Sequence, residues 1–170
     1  LIRAGVNYLR STIEAARRLS EKKLRIVNPA DGIAVAKDKW LTHHAWAHEG
    51  LPQVPTLKIN SPEELRLASG FLPTPWVIKA LYGSQGKGVH LALTLAEALR
   101  HSKAYMDRGF SVLLQPKLNV KRDLRILVVA GKVVAAVRRH PAKGEFRSNW
   151  HRGGRLELIQ ASAREKRLAI

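Results

Sequence analysis

Val77-Ile78-Lys79-Ala80-Leu81-Tyr82-Gly83-Ser84-Gln85-Gly86-Lys87-Gly88-Val89 places a lysine on an apolar strand and follows it with a glycine-rich turn. A polyphosphate is held by backbone N–H groups at close range, which side chains would obstruct, and by cations that offset charge the turn's dipoles only partly neutralise. Glycines supply the first; Lys79 and Lys87 are candidates for the second. The spacing fits neither common nucleotide fingerprint. A P-loop needs a glycine where Leu81 stands and a Ser or Thr where Gly88 stands. Gly83-x-x-Gly86-x-Gly88 reverses the dinucleotide spacing and leads into a strand, not a helix. A tight hairpin with no ligand is the competing reading of the same residues.

Outward from the turn, residues 76–80 and 89–93 read as the paired strands of a hairpin, and Thr94-Leu95-Ala96-Glu97 as a capping box opening a helix to about Met106. Ser61-Pro62-Glu63-Glu64 and Ser162-Ala163-Arg164-Glu165 are two further boxes. Apolar spacing predicts helices over residues 8–22 and 38–48, the second stopped by Gly50, and short strands over 24–29 and 56–59. Residues 110–115, 124–129, 132–138 and 156–159 are β-rich, with Ala130-Gly131 joining the middle two as a hairpin.

The 170 residues include 30 Lys and Arg against 13 Asp and Glu, a formal net charge of +17. That balance attracts an anion, whether nucleotide, nucleic acid, acidic peptide or ribosomal surface, and is equally that of a solvated basic surface. The absence of cysteine excludes disulfides and thiolate metal sites. No apolar run approaches the roughly 20 residues of a membrane span, and the expectation is a soluble, cytoplasmic chain with no membrane partner. Because the chain opens on Leu1 and its one methionine is Met106, it is expected to be a piece of a longer protein.

Asp123 and Arg125 sit two residues apart at the start of a strand, on one face, where an acceptor and a fork donor suit a ribose hydroxyl and a phosphate or carboxylate respectively; an exposed cross-strand ion pair is the alternative. Arg138-Arg139-His140 and the run from Glu145 through Arg147, Ser148 and Asn149 to Gly153-Gly154 gather cations, a hydroxyl and an amide, fit for a transferring phosphoryl group or for a plain basic loop. His44 and His48 have the i, i+4 spacing of zinc sites, but no Glu follows the first histidine of the His43, His44 and His48 group and no third ligand is nearby, so no metal is assigned there. Trp40, Trp46, Trp76 and Trp150 are spaced like core anchors, not stacking platforms for single strands.

With these residues in view, the chain resembles the ATP-grasp superfamily, and within it the RimK-like amino-acid ligases, including the ribosomal-protein glutamate ligase type. Asn28-Pro29, Ala36-Lys37-Asp38-Lys39 with Thr42, Gly50-Leu51-Pro52, Pro55-Thr56, Lys79 with its glycine turn, Leu114-Gln115, Asp123-Leu124-Arg125, Arg138-Arg139 and Phe146-Arg147-Ser148-Asn149 stand in that family's order. The resemblance implies an α+β ATP-grasp fold, two subdomains with a glycine-rich hairpin lid. Residues 1–34 would end a preceding α/β domain, 35–112 form the first subdomain and 113–170 part of the second. It implies ATP as cosubstrate, an acyl phosphate on a carboxylate, and displacement by an amine. Lys39 and Lys79 would contact phosphates, with Gly83, Ser84, Gln85, Gly86 and Gly88 covering them; Gln115 and Lys117 would form the adenine hinge; Asp123 would hold the ribose. Arg125, Arg139, Arg147 and Asn149, with Ser148 beside them, would neutralise the phosphoryl charge.

Two departures stand out. Pro116 and Lys117 follow Gln115 where these ligases usually carry Glu and an aromatic or aliphatic residue, and proline has no N–H for the base. No asparagine is preceded two residues earlier by Glu, so the magnesium or manganese ligands that the family places on a later strand pair are expected beyond Ile170, leaving the chain alone inactive or nearly so. Glutamate or an acidic protein tail suits the charge as substrate, a ribosomal protein is a candidate partner, and the intact protein is a candidate homo-oligomer. The second reading is a degenerate ATP-grasp domain that docks on RNA or the ribosome.

Overall fold

A computed structural model describes residues 9–83, 86–120, 122–147 and 153–170. The chain divides into two compact units, Leu1–Lys117 and Leu118–Ile170.

The first unit opens with three helices, α1 (Leu9–Glu21), α2 (Ala30–Lys37) and α3 (Lys39–His48), α1 packing on α2 and α2 on α3. A four-stranded antiparallel sheet follows in the order β1-β4-β2-β3, from β1 (Leu57–Ile59), β2 (Trp76–Ala80), β3 (Val89–Ala92) and β4 (Val112–Pro116). Helices α4 (Pro62–Ala68) and α5 (Leu95–Met106) cover one face of it. Side chains alternate along a strand, so Ile59, Trp76, Ile78, Ala92, Val112 and Leu114 turn to that face and form a core with Leu65 and Ala68 of α4 and Ala98 of α5. Val77, Lys79, Leu113 and Gln115 share the opposite face, in the register Val77 to Gln115 and Lys79 to Leu113.

The second unit is a three-stranded antiparallel sheet, β5 (Asp123–Val129), β6 (Lys132–His140) and β7 (Arg155–Ile159), in the order β5-β6-β7, with α6 (Ala163–Ala169) packed on β5. A register shift between Leu127 and Val128 marks a bulge. The tight turn at Ala130 and Gly131 takes φ of +49° and +72°, the left-handed pair that matches the twist of hairpin strands.

Two expectations are corrected. Residues 24–29 form no strand but irregular chain between α1 and α2, and α2, unforeseen, follows at once. It lacks the usual signals: Pro29 at the N-cap offers no side-chain hydrogen bond, and Gly32 interrupts its eight residues. Trp46 is not a core anchor. It is 52% exposed on α3, a helix with no buried residue, whereas Trp76 is buried and donates its indole N–H to the Leu72 carbonyl at 2.9 Å. Trp150 lies outside the described residues.

Candidate functional site

Lys79 leaves β2 on the sheet face that α4 and α5 do not cover. Burial pushes its ammonium pKa down from the usual 10.5. Lys39, the first residue of α3, reaches the same place: its backbone N–H donates to the Leu81 carbonyl at 3.2 Å, and its ammonium donates to Ala80 and Leu81 carbonyls at 2.9 and 3.2 Å. Its pKa is lowered by burial first and by neighbouring Lys79 second, against an opposing pull from Asp38. Two cations are therefore held close together in partly dehydrated surroundings at the root of the glycine turn. Such an arrangement is costly until an anion arrives.

Asp38 explains how Lys39 is placed. Its buried carboxylate caps α3, accepting N–H bonds from Trp40 at 2.8 Å and Leu41 at 3.1 Å. Interaction with the Asp38 carboxylate, ahead of burial, raises the pKa of the Tyr82 phenol, so the base of the turn senses the start of α3. The sequence alone assigns neither Asp38 nor Tyr82 to the site; the one signal it carries is Asp38 at the start of a predicted helix, a good N-cap residue.

The turn itself needs its glycines for different reasons. Ala80 N–H donates to the Gly88 carbonyl at 2.8 Å, closing the hairpin. At Gly83 (φ +148°) a Cβ would lie 3.0 Å from the Lys87 carbonyl oxygen and 3.9 Å from Lys39 Nζ. At Gly88 (φ +69°) it would lie 2.9 Å from Ala80 Cβ and 3.0 Å from Tyr105 Oη. Gly86 is also left-handed, at +73°, and Lys87 is exposed. Ser84 and Gln85 lie outside the described residues.

On the same sheet face Gln115 donates from Nε2 to Thr56 Oγ1 at 2.6 Å, so Thr56 fixes the amide. The Lys117 N–H is bound to the Pro75 carbonyl at 2.7 Å. With Pro116 lacking an N–H, neither residue after Gln115 has an uncommitted backbone donor at this hinge.

In the second unit, Asp123 and Arg139 are direct cross-strand partners and bind each other: Arg139 Nε and Nη2 donate to the two carboxylate oxygens at 2.6 and 3.0 Å. Arg125 lies on the same face, opposite Val137, and is exposed. Arg138 points to the other face, where Glu157 accepts from it at 2.9 Å and lies 3.0 Å from His140 Nε2. In the loop after β6, Arg147 donates from Nε and Nη2 to Glu145 at 2.9 and 2.8 Å. Those bonds, with N–H donation from the Arg147 and Phe146 backbone, hold the Glu145 pKa at about 2. Ser148 and Asn149 lie outside the described residues.

Two of the three histidines of α3, His43 and His44, are engaged with an indole. Trp40 stacks on His43 at 5.6 Å between ring centroids and meets His44 edge-on at 4.4 Å. Among the described residues no group of three or more His, Cys, Asp or Glu is gathered for a metal ion. No helix among them is long and apolar enough to cross a membrane.

Comparison with known proteins gives a consistent result. Residues 36–170 match the RimK-like ATP-grasp domain. The chain is 36% identical over 148 residues to a probable alpha-L-glutamate ligase of Teredinibacter turnerae, covering 85% of this chain and 49% of that protein. It is 31% identical over 175 residues to one of Legionella pneumophila (strain Corby), covering 99% and 56%. It thus spans about half the length of the curated relatives it matches. In fold it resembles D-cycloserine synthetase DcsG, with a TM-score of 0.75 at 19% identity over 98% of this chain and 61% of that one. It also resembles the D-alanine–D-alanine ligase of Bacillus anthracis complexed with ATP, with a TM-score of 0.68 at 17% identity over 88% and 48%. The α+β ATP-grasp architecture expected from the sequence is the one found, and these matches lend no support to an RNA- or ribosome-binding module. The chain belongs to the RimK-like ATP-grasp family.

Proposed function

We propose that the whole protein is an ATP-dependent carboxylate–amine ligase that joins an amino acid, glutamate, to an amine or peptide. The observation that carries this reading is the pair of partly dehydrated ammonium groups, Lys39 and Lys79, beside a turn whose Gly83 and Gly88 would be crowded by a Cβ. These residues fit a polyphosphate: Lys39 and Lys79 would neutralise it, and the turn from Gly83 to Gly88 would cover it. ATP, when bound, supplies the γ-phosphoryl group that activates the carboxylate. In the second unit Asp123 would meet the ribose from its place beside Arg139, and Arg125, Arg139 and Arg147 would offset charge on the transferring group. The probable glutamate ligases among the relatives, and the +17 charge, favour an acidic substrate. The divalent metal that the family resemblance implies finds no fitting cluster among the described residues.

The test is release of ADP and phosphate by the whole protein given ATP, magnesium, glutamate and candidate acceptor amines. Lys79→Ala and Asp123→Ala are expected to weaken ATP binding strongly and His44→Ala to leave it unchanged. Equal losses from all three variants, or no nucleotide-dependent turnover with any acceptor, would sink the reading.

A further inference from the structure

The two lysines at the root of the glycine turn are not equally engaged. Lys39 opens α3, and the buried Asp38 carboxylate fixes its backbone by capping that helix at the Trp40 and Leu41 N–H groups. The Lys39 N–H and its ammonium both donate to the Leu81 carbonyl, each at 3.2 Å, and the ammonium also donates to the Ala80 carbonyl at 2.9 Å. One residue thus joins the start of α3 to the point where β2 gives way to the turn, and Ala80 in turn closes the hairpin by donating its N–H to the Gly88 carbonyl at 2.8 Å. The Lys79 ammonium, partly buried beside it, makes no hydrogen bond among the described residues. An ammonium carries three N–H donors: Lys39 has two committed to the turn root, and Lys79 has none so committed. A phosphate oxygen is a stronger acceptor than a carbonyl, but drawing Lys39 across would break two part-buried bonds that fix the turn root. Gly83 makes that exchange unnecessary by leaving space beside the ammonium, since a Cβ there would stand 3.9 Å from Lys39 Nζ.

We propose that Lys39 is a positioning residue, a role that rests on the polyphosphate reading of the site: it stays on the Ala80 and Leu81 carbonyls when phosphate binds and holds the turn root in place, while Lys79 makes the direct contact. The charge of Lys39 still acts on the anion from there. A turn root fixed in advance does not have to be ordered when the anion arrives, whereas a loose one loses part of the binding free energy to that ordering.

The experiment uses the whole protein with isotope-labelled backbone and lysine side chains, inorganic triphosphate as the probe, and the variants Lys39→Met and Lys79→Met. Without any ligand, Lys39→Met should speed hydrogen exchange of the Ala80 amide by about tenfold or more, and Lys79→Met should leave it as in the parent. The triphosphate Kd should rise about tenfold in Lys39→Met and at least as much in Lys79→Met. In the parent, triphosphate should shift the Lys79 ammonium resonance and leave the Ala80 and Leu81 carbonyl carbons near their free positions. Movement of those carbons toward their positions in Lys39→Met would show Lys39 leaving the turn root for the anion and overturn the proposal, as would unchanged Ala80 exchange in Lys39→Met. Should Lys39→Met fail to fold, the parent's carbonyl resonances decide alone, unmoved in support and displaced in refutation. Triphosphate that does not bind refutes the phosphate site together with the positioning role. Triphosphate that binds as expected, in a protein that releases no ADP with any acceptor, refutes the ligase reading alone.

Discussion

Gly88 and Gly131 share a left-handed backbone, with φ of +69° and +72°, but a side chain would meet Ala80 and Tyr105 at the first and open space at the second. Gly131→Ala should therefore cost only the backbone penalty, about 1–2 kcal/mol. Gly88→Ala should cost a further ~1–3 kcal/mol for overpacking, the difference being read from urea denaturation of the two variants. The lysines are expected to show themselves through pH. Both free ammonium groups have pKa values below 10.5, and a bound polyphosphate would raise them. Binding then takes up protons: affinity is full below the lowered pKa values and falls as pH rises through them. Calorimetry of ATP binding in buffers of different ionisation enthalpy checks this, and proton release would contradict it. The positions of Lys79 and the glycines were legible because a strand followed by a glycine turn has few meanings. That Lys39 binds the carbonyls of Ala80 and Leu81 was not, because the contact spans some forty residues of chain.

Three helices begin with a hydroxyl that accepts the N–H three residues on, Ser61 from Glu64, Thr94 from Glu97 and Ser162 from Glu165, at 3.2, 3.2 and 3.3 Å. Only Glu165 returns to its own cap, taking the Ser162 N–H at 2.7 Å. Glu64 and Glu97 reach one residue further back, to the N–H of Asn60 and Leu93 at 2.8 and 2.7 Å. Ser162→Ala should destabilise α6 by about 1 kcal/mol, measurable by amide hydrogen exchange in that helix. Capped helices could be read from the sequence and α2 could not, since a helix without a cap announces itself only by periodicity, which eight residues barely display. The β6–β7 loop gives a pH prediction of the opposite kind. Glu145 has a folded pKa near 2 against an ordinary 4.5, so its stabilisation is complete above 4.5 and lost as pH falls through about 2. The stability gap between parent and Glu145→Gln should close over that window in acid denaturation.

At the scale of the molecule the charge is better understood than its total suggests. Every carboxylate in residues 118–170 is engaged: Asp123 by Arg139, Glu145 by Arg147, Glu157 by Arg138 and His140, and Glu165 at the α6 cap. The sequence marked Asp123, Arg139 and Arg147 as ligand contacts without indicating their mates, because pairing across strands depends on register. The +17 charge of this chain acts at long range, so under the ligase reading association of ATP or glutamate should slow as salt rises from about 50 to about 500 mM, with dissociation changing less. Stopped-flow binding at several ionic strengths reads the slope.

Arg138 and Arg139 are chemically identical neighbours turned to opposite faces of one strand, one to Glu157 and the other to Asp123. Loss of one residue between Val133 and Val137 would exchange them, sending Arg138 to the Asp123 face and taking Arg139 away from its partner. Added residues at the Ala130-Gly131 tip would leave both where they are. Length differences among natural versions of this hairpin should therefore collect at its tip, and, under the ligase reading, a deletion inside β6 should weaken ATP binding even though it removes none of the residues proposed to contact ATP.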